Sequence, residues 1–299
     1  MKALTWLLLA APLLSQEKPQ QQKPLIDDYF KANISAPPVE LALDPFYQKF
    51  TSALGIPITS SEKVPDAALL VARDIVIHML AKRSDIRDAM VNTIHTRVAV
   101  MATTEMTMDL PEQRNWKKPA RDDRRLTRGE RENYDSPTGI GSMTDAQYWN
   151  RRARGMGGMR LTSCAEENLL GYPGTRYYGE NIFVHEFSHA IHGVIRQVDR
   201  PLADEIETAY KEAMSKGLWK GQYGETTSNE YWAEGTQTWF WSNYEFKGAP
   251  GEKMIQTPDD LKAYDPKLYE LLSRVYPDHH IPMDVYYAKN IRPTPRRPQ

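Results

Sequence analysis

The sequence predicts an α+β fold, mostly helical, in which helices surround a small mixed sheet and one apolar helix lies at the centre. Three observations carry that expectation. The stretch after Pro65-Asp66 places Leu69, Leu70, Ala72, Ile75, Val76, Met79 and Leu80 on a helical stripe. Arg97-Val98-Ala99-Val100-Met101-Ala102 reads as a buried strand, too apolar to alternate. Residues 180 to 196 are apolar on most sides of a helical projection, as a buried helix is.

Taken in order, residues 1–15 (MKALTWLLLAAPLLS) have Lys2, a short apolar run and small residues at its end. They read as a cleavable secretory signal, too short to span a bilayer as a mature helix, with an uncleaved anchor as the alternative. Residues 16–40 are rich in Gln, Lys and Pro and read as a flexible lead-in, and residues 291–299 as a flexible tail. Between them, 41–290 show no composition break and no internal repeat, so a single domain is expected. That domain is expected to begin with helices. Residues 104–160 are polar and loop-rich and are expected to wrap the surface near a cleft. Arg160-Leu161-Thr162-Ser163 is expected to be an edge strand, and Tyr172-Pro173-Gly174 a turn. The central helix follows, capped by Asn181, with Gly193 marking close packing rather than its end. Then come a helix from Pro201 to about Lys216, a tryptophan-rich helix around residue 230 capped by Ser228 or Asn229, and a last helix over 266–275.

The chain of 299 residues has a net charge of −1, which removes the electrostatic footprint of a nucleic-acid binder. The arginines of 121–131 are interleaved with Asp122, Asp123 and Glu130, and with Arg151-Arg152-Ala153-Arg154 they read as solvated loop. Cys164 is the one cysteine, so no intramolecular disulfide is possible and burial is its default. An exported chain without a disulfide fits a bacterial periplasmic or secreted protein, with no stable membrane insertion once the signal is removed. Oligomeric state is not readable.

The central helix carries the most specific signal, His185-Glu186-Phe187-Ser188-His189. On a helix the two histidines are one turn apart and can grip one metal ion. Glu186 lies about 100° further round, within reach of a water at that metal. Burying these three groups without partners is costly, whereas a metal neutralises and orders them. Two neutral nitrogens plus a carboxylate base is what zinc hydrolysis requires. The third ligand is not a histidine in H-E-x-x-H-x-x-G-x-x-H, because His192 and Ile195 occupy the last two positions. Downstream, Glu230 and Glu234 are again one turn apart, among Trp232, Trp239, Phe240 and Trp241. One metal ligand plus one acceptor for a ligand would explain two glutamates on such a helix.

This combination, H-E-x-x-H followed about forty residues later by Tyr223-Gly224 and then Glu230-Tyr231-Trp232-Ala233-Glu234, resembles the catalytic domain of anthrax lethal factor and its relatives. Those are zinc endopeptidases of the zincin fold with a glutamate as third ligand, and the resemblance covers residues 175 to 245. It implies that Zn2+ is held by His185, His189 and Glu230, that Glu234 hydrogen-bonds a zinc-binding histidine, and that Tyr223 faces the substrate oxyanion or leaving group. Glu186 is then the general base of a peptidase acting on a peptide or protein substrate, held extended by the edge strand. Two rivals remain open: a catalytically inactive zincin-fold binding protein, and a zinc hydrolase of a non-peptide ester or amide.

Weaker signals have bland readings. His192 is expected to be a hydrogen-bonded core histidine. Gly155-Met156-Gly157-Gly158 lacks the Lys-Ser/Thr of a phosphate loop and reads as a flexible cleft rim. His279-His280 point in different directions and read as a surface or rim pair.

Overall fold

The computed structural model describes residues 34–123, 126–248, 254–277, 279 and 281. It is a mixed fold, with helices packed around a small mixed sheet as expected. The expected signal at 1–15, most of the lead-in and the tail at 291–299 lie outside the described residues. The part of the lead-in that is described belongs to the folded body: Ile34 packs on the core, and Ser35 exchanges two backbone hydrogen bonds with Phe50.

The domain begins with a hairpin rather than with helices. Strands β1 (Lys49–Ala53) and β2 (Ile56–Ser60) pair antiparallel around Leu54-Gly55. Both turn residues have positive φ, 52° and 93°, which matches the twist of the flanking strands. Leucine seldom takes that conformation, so the turn carries little sequence signal.

Helix α1 (Asp66–Met79) follows as predicted and buries Leu69, Ile75 and Val76. Helix α2 (Ser84–Ala89) runs through a π-helical turn (Met90–Ile94) into β3 (Arg97–Met101). β3 lies parallel to both β2 and β4 (Leu161–Ala165), giving the order β1-β2-β3-β4. Its continuous apolar run has a direct cause. Val98 and Val100 face the main core, while Ala99 and Met101 face a second cluster with Tyr47, Leu110 and Ala165. Each fully buried Val or Met there contributes roughly 1.5–3 kcal/mol.

The polar stretch 104–160 holds short helices α3 (Arg128–Glu132) and α4 (Asp145–Arg152), each capped by a threonine. They enclose a cluster of Leu126, Tyr134, Ile140 and Tyr148. The expected edge strand is shifted by one to two residues and its outer side is not free. Met156 and Ser163 exchange two backbone hydrogen bonds, 3.1 and 2.9 Å long, so the chain's own rim covers β4 at that point.

After α5 (Glu166–Leu169) and the turn at Gly174 comes the central helix α6 (Ile182–Val198). Asn181 caps it by accepting from the Val184 amide. Phe183, Phe187, Ile191 and Val194 are buried on its inner side. Gly193 lies within the helix, where a Cβ would come 2.6 Å from Met159 Cγ. Helices α7 (Arg200–Ser215) and α8 (Ser228–Trp239) follow. Thr227, not Ser228 or Asn229, caps α8, because its hydroxyl is the one that meets the Glu230 amide. The short strands β5 (Phe246–Lys247) and β6 (Met254–Ile255) and helices α9 (Pro258–Tyr264) and α10 (Pro266–Val275) complete the described chain. Among the described residues no helix is long and apolar enough to cross a membrane.

Candidate metal centre

Helices α6 and α8 pack against each other, and this packing assembles the site. α6 supplies His185, Glu186 and His189. α8 supplies Glu230, Glu234 and Gln237 at positions i, i+4 and i+7, all on one face of that helix. Glu230 Oε2 lies 3.0 Å from His185 Nε2 and 3.4 Å from His189 Nε2. The three candidate ligand atoms lie within 4.8 Å of one another. A tetrahedral zinc with nitrogen and oxygen ligands at about 2.0–2.2 Å separates neighbouring ligand atoms by about 3.3 Å. The two Glu230–histidine separations are close to that value.

The electrostatics point the same way. Burial works against a charge on His185, yet its hydrogen bond to Glu230 and the carboxylates of Glu186, Glu234 and Glu230 outweigh it, and its pKa is pushed up to about 10. Burial likewise opposes the charge on Glu230, but hydrogen bonds from His185 and His189 hold its carboxyl well below the usual range. The carboxylates of Glu186, Glu230 and Glu234 thus gather negative charge around the two histidines.

One expectation needs correction. The direct partner of His185 Nδ1 is Gln237 Oε1 at 2.8 Å, with Glu234 Oε1 further off at 3.7 Å. Gln237 reaches the ring directly, while Asn243 Nδ2 donates to Glu234 Oε2 at 2.7 Å and draws that carboxylate aside. Gln237 could have been suspected from sequence only as the next residue on the face shared by Glu230 and Glu234.

Glu186 is partly exposed, lines the cleft and makes no hydrogen bond among the described residues. Tyr223 sits in a 3-10 turn (Tyr223–Glu225) with its ring stacked on His185, centroids 6.1 Å apart. Loss of hydration, followed by the charge on Glu230, raises the Tyr223 phenol far above its ordinary value, with Arg152 opposing. The phenol, 46% exposed in the structure, stays protonated at neutral pH.

The cleft has a volume of about 910 Å³. Its rim is closely packed where the glycines lie. A Cβ on Gly157 would come 2.7 Å from the Glu186 carbonyl oxygen and 2.8 Å from His189 Cβ and Cδ2, and one on Gly155 would come 2.8 Å from Ile182. These glycines let the rim backbone lie against the ligand-bearing turn. The wall also contains Arg152, which pairs with Glu130, while Arg154 is held by Glu167, so this arginine run is not simply solvated loop.

The remaining singled-out residues lie apart from the centre. His192 is buried on the Trp232 ring, but its Nδ1 has no hydrogen-bond partner, so it is a core histidine without the expected bond there. Cys164 is buried in the main core, and burial raises its thiol well above the ordinary value. His279 is half-buried rather than on the surface, with its ring 4.2 Å from that of Trp239; His280 lies outside the described residues. No family model, curated protein or solved structure matches the chain.

Proposed function

We propose that the protein is an exported zinc-dependent peptidase of the zincin type. The observation that carries this reading is the meeting of His185 Nε2, His189 Nε2 and Glu230 Oε2, with the unbonded carboxylate of Glu186 in the same cleft. Zinc held by those three residues would polarise a scissile carbonyl and make a water acidic near neutral pH. Glu186 accepts the proton of the water that attacks the carbonyl carbon. It then delivers that proton to the amine nitrogen as the carbon–nitrogen bond breaks. Tyr223, kept protonated, donates a hydrogen bond to the developing oxyanion. Gln237 holds the ring of His185 so that Nε2 faces the metal. The Gly155–Gly158 rim carries the substrate past Glu186 and His189.

The test is cleavage of an unstructured protein by the purified mature chain, with and without chelator, alongside metal analysis. We expect one zinc per chain, cleavage abolished by chelation, and a Glu186→Gln protein that keeps zinc while losing at least about a hundredfold in rate. Bound zinc without cleavage of any peptide would reject the peptidase reading in favour of a binding protein or a hydrolase of other bonds.

A further inference from the structure

We infer that the cleft takes acidic peptide segments, with Arg196 and Arg176, which both line it, reading carboxylate groups. This rests on the peptidase reading for its catalytic consequence, but the binding chemistry is independent of it.

The charges in the cleft wall are sorted by place. Its carboxylates gather at the two histidines, where Glu180 and Glu234 fall in one tight group with His185 and Glu230 in another. Away from that centre the ionisable groups lining the wall are arginines. Arg152 is neutralised by Glu130. Arg176 and Arg196 differ, since neither makes a salt bridge among the described residues.

Both are nevertheless held in place. Arg196 Nη2 donates to Asn229 Oδ1 at 2.7 Å, and Asn229 is the residue immediately before Glu230, so the guanidinium is tethered beside the ligand helix's first turn. Arg176 donates to the Arg151 carbonyl oxygen, and its guanidinium lies 5.0 Å over the Tyr177 ring. Each partner is neutral. Arg196 acts on the Glu207 carboxylate only at a distance, without an ion pair, so most of the five donors of each guanidinium remain available. A fork fixed in this way matches a carboxylate in two-point geometry, which a lysine would not. Arg196 lies two helical turns beyond His189 on α6, Arg176 precedes that helix, and both line the cleft. Both are exposed, so the preference they confer is moderate and falls with salt.

The experiment compares matched peptides with Glu or Asp against Gln or Asn at positions flanking the cleaved bond, all with amidated C-termini. A second arm uses neutral peptides with a free C-terminal carboxylate, which separates an acidic side chain from a chain end as the group recognised. Relative kcat/KM is measured for wild type and for the Arg176→Gln, Arg196→Gln double variant. Binding of fluorescent versions to Glu186→Gln protein in zinc-containing buffer is followed by anisotropy. We expect acidic peptides to be favoured about 3- to 10-fold, as exposed charged hydrogen bonds allow, with the ratio approaching one in the double variant and at high salt. Equal use of neutral peptides, or an acid preference that survives both substitutions, would overturn the inference while leaving the peptidase reading intact. Arginine-dependent binding without cleavage would have the opposite effect.

Discussion

His185 Nδ1 lies 2.8 Å from Gln237 Oε1, and this single hydrogen bond fixes how the imidazole presents its other nitrogen. The amide orientation is set by a second bond, from Gln237 Nε2 to the Asn181 carbonyl oxygen at 3.1 Å. With the amide oxygen facing the ring, Nδ1 donates, and Nε2, which meets Glu230 here, is the nitrogen a metal would take in place of a proton. Gln237→Leu removes the acceptor, and zinc affinity is expected to fall about 10–100-fold. Competition with a fluorescent chelator measures this.

The approach of Gly157 to the ligand turn makes a second prediction. Gly157→Ala puts a methyl group against the Glu186 carbonyl and the His189 side chain, with backbone on one side that cannot swing away. Overpacking of this kind costs about 1–3 kcal/mol. A lowered Tm should accompany reduced zinc retention, whereas Gly129→Ala, with nothing within 4 Å of the added carbon, should leave both unchanged.

His192 gives the fold an acid sensitivity. Burial, then the charges of Arg196 and His189, lower its pKa from 6.5 to about 3. Between those two values the unfolded chain binds a proton that the native chain does not. Its contribution to stability is thus fully present above pH 6.5 and is lost as the pH falls toward 3, by about 1.4 kcal/mol per pH unit. Urea unfolding at pH 7 and pH 5 should show a drop that is smaller by about 2 kcal/mol in His192→Leu than in wild type. Equal drops in the two proteins would remove His192 as the cause.

Asp265 ties the last helices to the ligand helix. Its Oδ2 accepts from Trp219 Nε1 at 3.0 Å and from the Tyr231 hydroxyl at 2.7 Å, while Oδ1 caps α10 through the Leu268 amide at 3.1 Å. Asp265→Ala strands two buried donors and removes a cap, so a loss of about 3 kcal/mol or more is expected in denaturant unfolding. Because Tyr231 follows Glu230 directly, zinc affinity should fall as well.

Local chemistry was legible in the sequence wherever the interacting groups share one element. The pairing of His185 with His189, the cap at Asn181, the two-sided burial of Val98 to Met101 and the span of α10 all follow from helical or strand period and side-chain type. The placing of Glu230 required the resemblance as well, because period shows that it shares a face with Glu234 but not what that face meets. Tertiary packing alone decided that Gln237 rather than Glu234 holds His185, that a Leu-Gly turn closes the first hairpin, that the 155–158 rim covers β4, and that Arg196 is tethered to Asn229. Each of those depends on where two helices or strands come to rest against one another, to within about an ångström, and short-range periodicity carries no record of that distance.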